Sequence, residues 1–179
     1  MSKHNINDMN QLAKELGQFL KEFHSIETTG GPKAGKHNFY RGGAHSAYDH
    51  KMQIAIPKIE NSHDKGLGET LWRDALSSQW LSKPVGLMEI GNIIVSQGKL
   101  KAIIDFGQLA IGDPACDLVI AWNFFSKKNR SIFKKTLGLN KDTWVRALGW
   151  AFWKVLCWPV KDTDVGQVIQ EIFADYQTL

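Results

Sequence analysis

The 179-residue sequence predicts an α+β fold that is mostly helical and carries one small β-hairpin. Apolar residues recur at helical spacing around 9–24, 69–80 and 143–158, as expected for helices burying one face. One region only, 93–104, has β-branched runs split by a short polar turn with glycine. Hydrophobic residues make up 43% of the chain and the formal charge is +4, values that fit one ordinary globular domain, here residues 1–179.

The elements follow in order. Asp8 with Gln11 forms a capping pair, and Leu12, Leu16, Phe19, Leu20 and Phe23 continue at helical spacing, so Met9 to His24 is an amphipathic helix. From Thr28 to Tyr48 the glycines and Pro32 break every period. This long loop carries His37, Asn38, Phe39, Arg41, Gly42 and Gly43, and loops of such length are usually functional or mobile. A helix covers part of Asp49 to Glu60, with Pro57 near its end. Another covers Glu69 to Trp80, through Leu71, Trp72, Ala75, Leu76 and Gln79. Ile93-Ile94-Val95 and Ala102-Ile103-Ile104 form the hairpin, and Gly98 supplies the positive φ of its turn. After Gly112-Asp113-Pro114 the period is helical again, over Ala115 to Phe125, Ser131 to Leu137, Thr143 to Trp158 and Val165 to Tyr176; Pro159 ends the third of these.

Composition removes several classes of function. Asp105, Asp113 and Asp117 interrupt the longest apolar stretch, which therefore falls short of the roughly 20 residues that cross a bilayer. Met1 to Asn10 lacks the apolar core of a secretory signal, and Cys116 and Cys157 make no disulfide framework, so the expected location is cytoplasmic. The pI of about 9.0 comes from charges spread thinly along the chain. Lys127, Lys128, Arg130, Lys134 and Lys135 are the one basic cluster, and it reads as a solvated face, not a nucleic-acid groove.

Gly30-Gly31-Pro32-Lys33-Ala34-Gly35-Lys36 has the spacing of a phosphate-cradling glycine loop. That mechanism needs a preceding strand and a hydroxyl after the lysine, whereas a helix precedes and His37 follows, so the segment reads as a glycine-rich loop. His37, His45, His50 and His63 are spaced by 8, 5 and 13, which fits no common zinc pattern. Both cysteines lie in apolar runs, as small buried hydrophobes do. Asn92 and Asp105 differ, because a hairpin turning at Gly98 brings an amide and a carboxylate to its open end. Two hard oxygen donors there suit Mg²⁺, which completes its shell with water and nucleotide phosphates.

Gly91-Asn92, the hairpin, Ile104-Asp105-Phe106-Gly107 and Gly112-Asp113-Pro114-Ala115-Cys116-Asp117-Leu118 together resemble the aminoglycoside phosphotransferases, which share the protein-kinase-like fold. The likeness extends to Phe23-His24, Gly30 to Gly43, Trp72 to Pro84 and Trp144 to Trp153. It implies the carboxy-terminal lobe of that fold, with ATP and Mg²⁺ as cofactors, Asn92 and Asp105 as metal ligands, and Asp113 and Asp117 as braces of the catalytic loop. The implied reaction is ATP-dependent phosphorylation of a hydroxyl on an aminoglycoside or similar small molecule.

Two departures bear on activity. The family's catalytic loop, H-G-D-x-x-x-x-N, supplies an aspartate that handles the proton of the acceptor hydroxyl. Five positions before Asn92 stands Leu87, which takes no proton; Glu89 is the only carboxylate nearby, at an offset that needs a rebuilt loop. The second departure is that the chain starts at the helix expected to follow an amino-terminal nucleotide lobe, with no candidate for the nucleotide lysine. The expectation is a truncated phosphotransferase that is inactive alone, so ATP and Mg²⁺ binding by this chain is in doubt. Alternatives are an enzyme half working with a separate amino-terminal lobe, and a non-enzymatic small-molecule-binding or interaction protein using the remnant cleft. Apolar ground left by a missing lobe also leads to an expectation of self-association.

Overall fold

A computed structural model describes residues 8–78, 80, 85–87, 93–96, 99–159, 161 and 163–179. Helix α1 (Met9–Phe23) starts where the Asp8 carboxylate accepts the amides of Asn10 and Gln11, each at 3.0 Å. Its stripe of Leu12, Ala13, Leu16 and Leu20 is buried. The long loop is followed by the short helix α2 (Asp49–Ala55) and, after a 3-10 turn at Ile56–Lys58, by the longer α3 (Ser62–Ser77).

Strands β1 (Val85–Leu87), β2 (Ile93–Ser96), β3 (Lys99–Ile103) and β4 (Ala110–Gly112) make two antiparallel pairs. The β2–β3 hairpin has the expected place, with Ile93 opposite Ile103 and a register shift between Ile94 and Val95; its turn residues lie outside the described set. The second pair, β1 with β4, sets Val85 opposite Gly112 and Leu87 opposite Ala110. Nothing in the local sequence announces it, because each strand has three residues and the partners lie on either side of the hairpin.

The remaining helices are α4 (Ile120–Asn123), α5 (Lys127–Leu137), α6 (Lys141–Cys157) and α7 (Val165–Gln177). Helix α6 is the axis of the core. Trp144, Ala147, Leu148, Trp150, Ala151 and Phe152 bury nearly its whole circumference, as an interior helix requires. It is flanked by α3, α7 and the segment that follows β4, while α1 packs on α5. No helix among the described residues is long and apolar enough to cross a membrane.

The three helix starts that differ most from the sequence expectation each have a local reason. Helix α3 begins seven residues before Glu69, because the Asn61 side chain accepts the Asp64 amide and starts the ladder through a stretch whose glycines hide the apolar period. Helix α5 begins at Lys127 because Ser126 caps it. The run after Pro114 winds first as a 3-10 turn, Pro114–Val119, since Asp113 and Asp117 are held by distant partners and the chain follows them.

Helices α3 and α6 approach closely through small residues. A Cβ on Gly149 would lie 2.4 Å from the Ala75 Cβ, and one on Gly68 would lie 2.7 Å from the Phe152 ring. Gly66, two residues earlier and so on the opposite, exposed side of α3, would meet nothing within 4 Å. In an open helical position Ala is better than Gly by about 1 kcal/mol, whereas overpacking a core costs about 1–3 kcal/mol. Gly66→Ala should therefore raise the urea midpoint and Gly149→Ala should lower it, although both are Gly-to-Ala changes within helices.

Candidate functional site

The hairpin delivers the chain from Ile103 into an exposed turn, Ile104 to Leu109, before β4 begins. Asp105 sits in this turn with φ 65°, a left-handed conformation that non-glycine residues avoid. Its carboxylate is exposed, and Oδ1 takes a long 3.4 Å bond from the Gly107 amide. Because β4 pairs with β1, the same turn runs directly to the position opposite Leu87. The metal-type carboxylate and the residue expected in the base's place are thus carried by neighbouring ladders. Asn92 and Glu89 lie outside the described residues.

The long loop is stitched along the other edge of β4. The Ile111 amide donates to the Pro32 carbonyl at 2.7 Å, the Ala34 amide donates to the Ile111 carbonyl at 3.2 Å, and the Asp113 amide donates to the Gly42 carbonyl at 2.8 Å. Beyond the strand, Arg41 Nη2 donates to the Gln108 side chain at 2.7 Å, and His37 Nε2 bonds the Leu109 carbonyl at 3.3 Å. Residues 37–41 therefore stand beside the Asp105 turn. Three amides of the glycine-loop spacing are already used, Gly31 by the Thr28 carbonyl, Ala34 by the Ile111 carbonyl and Gly35 by the Asn38 side chain, unlike the free amides of a phosphate cradle. Asn38 is buried and also donates to the Arg41 carbonyl at 2.9 Å.

Below the turn lies a buried ionic brace. Arg146 on α6 grips Asp113 through Nε at 2.5 Å and Nη2 at 3.1 Å, while Asp113 also caps the Ala115 amide at 3.1 Å. Asp117 faces His24, at the end of α1, at 3.0 Å. The acidic positions of the G-D-P-x-x-D run thus hold their own segment against α6 and α1. Arg146 was not legible as a partner of Asp113. The available signal was a single charge within the apolar run Trp144 to Trp153, since an arginine in a buried stretch must be paired.

The histidines gather no metal. Among the described residues no group of three or more His, Cys, Asp or Glu is placed to hold one. His45 is instead a core residue: its Nε2 faces the Arg146 carbonyl at 2.9 Å, and the rings of Trp72 and Trp150 pack against it. Burial pushes its pKa down to about 4, with the bond to the Arg146 carbonyl opposing. The Cys116 and Cys157 thiols are pushed up, chiefly by burial, which suits packing and not reactivity.

A mostly helical α+β body, with a hairpin leading into this turn, is the architecture of the carboxy-terminal lobe of kinase-like phosphotransferases. Residues 3–150 match the profile of the phosphotransferase enzyme family, and the chain belongs to that family. Among solved structures it is similar to a type I macrolide 2'-phosphotransferase, with TM-score 0.58 and 12% identity over 94% of this chain and 59% of that one. It is also similar to the macrolide 2'-phosphotransferase MphH from Brachybacterium faecium, with TM-score 0.57 and 16% identity over 93% and 60%. The phosphotransferase APH(2")-IIa, in a ternary complex with streptomycin and ATP, matches with TM-score 0.51 and 20% identity over 99% and 60%. At these identities the likeness is one of fold. The chain spans about three-fifths of the length of these solved relatives. No curated protein matches the sequence.

Two outcomes follow from the brace. Asp113→Ala leaves the Arg146 guanidinium buried without its carboxylate and should cost about 3–5 kcal/mol in urea unfolding; the double change with Arg146→Met should recover much of that loss. The second concerns His45, whose depressed pKa makes the neutral form the folded form. Its contribution should be complete above about pH 6.5 and disappear as pH falls toward 4, by about 3 kcal/mol in total. In His45→Gln, which keeps an N–H donor, thermal melts across this window should show a flatter pH dependence.

Proposed function

We propose that the chain is the carboxy-terminal lobe, residues 1–179, of an enzyme of the ATP-dependent kind that phosphorylates a hydroxyl on an aminoglycoside or similar small molecule, and that these residues alone do not catalyse transfer. The observation that carries this reading is Asp105, an exposed carboxylate held in a strained left-handed turn where two strand ladders meet. Strain of this kind persists where the surroundings fix it and is concentrated at functional sites.

One carboxylate fits the metal in question. Mg²⁺ is commonly bound through one or two carboxylates and keeps several waters, the rest of its shell coming from substrate phosphates. Asp105, with Asn92, would hold it, and the bound metal would neutralise charge on the ATP phosphates. The structure of a relative with ATP and streptomycin supports the choice of nucleotide. Ile104, Phe106 and Leu109 are exposed beside Asp105, and this apolar ground suits a nucleotide lobe or a second copy of the chain.

Leu87 supports the reading of an inactive chain. A positioned base contributes a factor of about 10² to 10⁴, and phosphoryl transfer depends mostly on positioning, which a nucleotide lobe supplies. A binding protein that uses the same cleft without chemistry is the second reading, favoured by the same residue.

Incubated with ATP, Mg²⁺ and a panel of aminoglycosides, the 179-residue chain should transfer no phosphate above background. Restoring histidine, glycine and aspartate before Met88 should give transfer only when a matching amino-terminal lobe is also supplied. Independently of turnover, Mn²⁺ should broaden the NMR resonances of Ile104 to Gly107 in the native chain and not in Asp105→Asn. Transfer by the unmodified chain would overturn the inactive assignment, and equal broadening in both proteins would overturn the ligand assignment.

A further inference from the structure

The turn that presents Asp105 is weakly held by its own residues. Ile104, Phe106 and Leu109 are exposed, so packing does not fix it, and the bond from the Gly107 amide to the Asp105 carboxylate is 3.4 Å long. The Leu109 amide donates to the Phe106 carbonyl at 3.1 Å, which closes the turn after Asp105 and not at it. Asp105 nonetheless keeps φ 65°, a conformation that costs free energy in an L-residue. Support comes from the long loop. Arg41 Nη2 donates to Gln108 Oε1 at 2.7 Å, and His37 Nε2 bonds the Leu109 carbonyl at 3.3 Å. The first bond is short and charge-assisted, which makes it the stronger tether.

Arg41 is itself fixed in place. Phe39 and Tyr40 precede it, both left-handed at φ 56°, and the Tyr48 hydroxyl donates to the Phe39 carbonyl. The buried Asn38 side chain accepts the Gly35 amide and donates to the Arg41 carbonyl at 2.9 Å, while the next carbonyl, that of Gly42, accepts the Asp113 amide at 2.8 Å. The guanidinium charge is felt at the buried Cys116 thiol, as are the opposite charges of Asp117 and Asp113. Set near those carboxylates, the guanidinium serves as a rigid planar fork and not as a docking point for an anion. A line of contact therefore runs from the Arg146–Asp113 brace through Gly42 and Arg41 to Gln108, three residues beyond Asp105.

We propose that Arg41 and Gln108 are a positioning pair for the metal ligand: their bond holds the turn in the conformation that presents the Asp105 carboxylate, so that metal affinity at Asp105 is set by two side chains that are not ligands. The inference rests on the reading of Asp105 as a Mg²⁺ ligand, and it adds to that reading what keeps the ligand in place. Arg41 is the partner of the Gln108 side chain, so truncating Gln108 cuts this tether.

The test compares the ¹⁵N-labelled native chain with Gln108→Ala, Arg41→Lys, the double variant and Gln108→Glu. Arg41→Lys keeps the positive charge without the planar fork, and Gln108→Glu keeps an acceptor for it. Without metal, native Asp105 should show the strong intraresidue amide–Hα NOE of a positive φ. Gln108→Ala and Arg41→Lys should lose it, with the amide shifts of α6 unchanged, and Gln108→Glu should keep it. The Mn²⁺ concentration that half-broadens the Phe106 and Gly107 amides should rise about tenfold in each of the first two variants, as for other outer-shell partners of metal ligands. It should rise no further in the double variant and not at all in Gln108→Glu. Mg²⁺ should also slow hydrogen exchange at the Arg41 amide, which donates to the Asn38 carbonyl at 3.2 Å, in the native chain and not in Gln108→Ala, because coupling between two sites is reciprocal. A retained NOE in Gln108→Ala, an unchanged Mn²⁺ concentration there, additive losses in the double variant, or Arg41 exchange indifferent to Mg²⁺ would each overturn the positioning pair. Equal Mn²⁺ broadening in the native chain and in Asp105→Asn would overturn the metal reading instead, and the NOE by itself would then decide whether the pair holds the turn.

Discussion

The pairing of Arg146 with Asp113 is the interaction on which the arrangement of the site depends. It joins the central helix to the segment that follows β4, and the backbone of Asp113 in turn holds Gly42 of the long loop. Through it the rigid α6 core and the exposed loops become one body. A buried ion pair of this kind contributes little net stability against a well-packed apolar alternative. Its effect is on geometry, since two charges shut away from water have one acceptable arrangement. The guanidinium also reaches Thr143 and Ser78, so the same side chain registers the end of α3 against the start of α6.

Packing around α6 sets the second constraint. Gly149 meets Ala75, Gly68 meets Phe152, and Gly17 brings α1 within contact of Thr136 on α5. Close approach of backbones at these points leaves room for the large side chains elsewhere, where Tyr48, Trp150 and Trp153 form edge and tilted ring contacts. The Arg130 cluster with Asp175 and Glu171 closes the far side, between α5 and α7. The cationic groups of this interior, Arg130 and Arg146, each have a carboxylate partner that fixes their position.

Against that rigid background, the strained residues stand out. Phe39, Tyr40 and Asp105 are the non-glycine residues of positive φ among those described, and all three lie on the two segments joined by Arg41–Gln108 and His37–Leu109. Residues held in this conformation cost free energy and persist only where the surrounding structure fixes them, as these two cross-links do.

Helical spacing and caps were legible from the sequence because they are local: Asp8 starts α1, and the apolar stripe Leu12, Leu16 and Leu20 needs only the chain's own period. The hairpin was legible through its β-branched runs, and the I-D-F-G and G-D-P-A-C-D-L runs carried the family resemblance. The β1–β4 ladder, the partnership of Arg146 with Asp113, and the stitching of residues 32–42 along β4 were decided only by tertiary structure. Each joins residues tens of positions apart, and a side chain's charge or a three-residue strand does not specify which distant partner will satisfy it. The sequence therefore determined which chemical groups are present and on which local element each rides. The fold decided that the Asp105 turn, the backbone position of Leu87 and residues 37–41 lie along β4, because one edge of that strand pairs with β1 and the other takes the hydrogen bonds of the long loop.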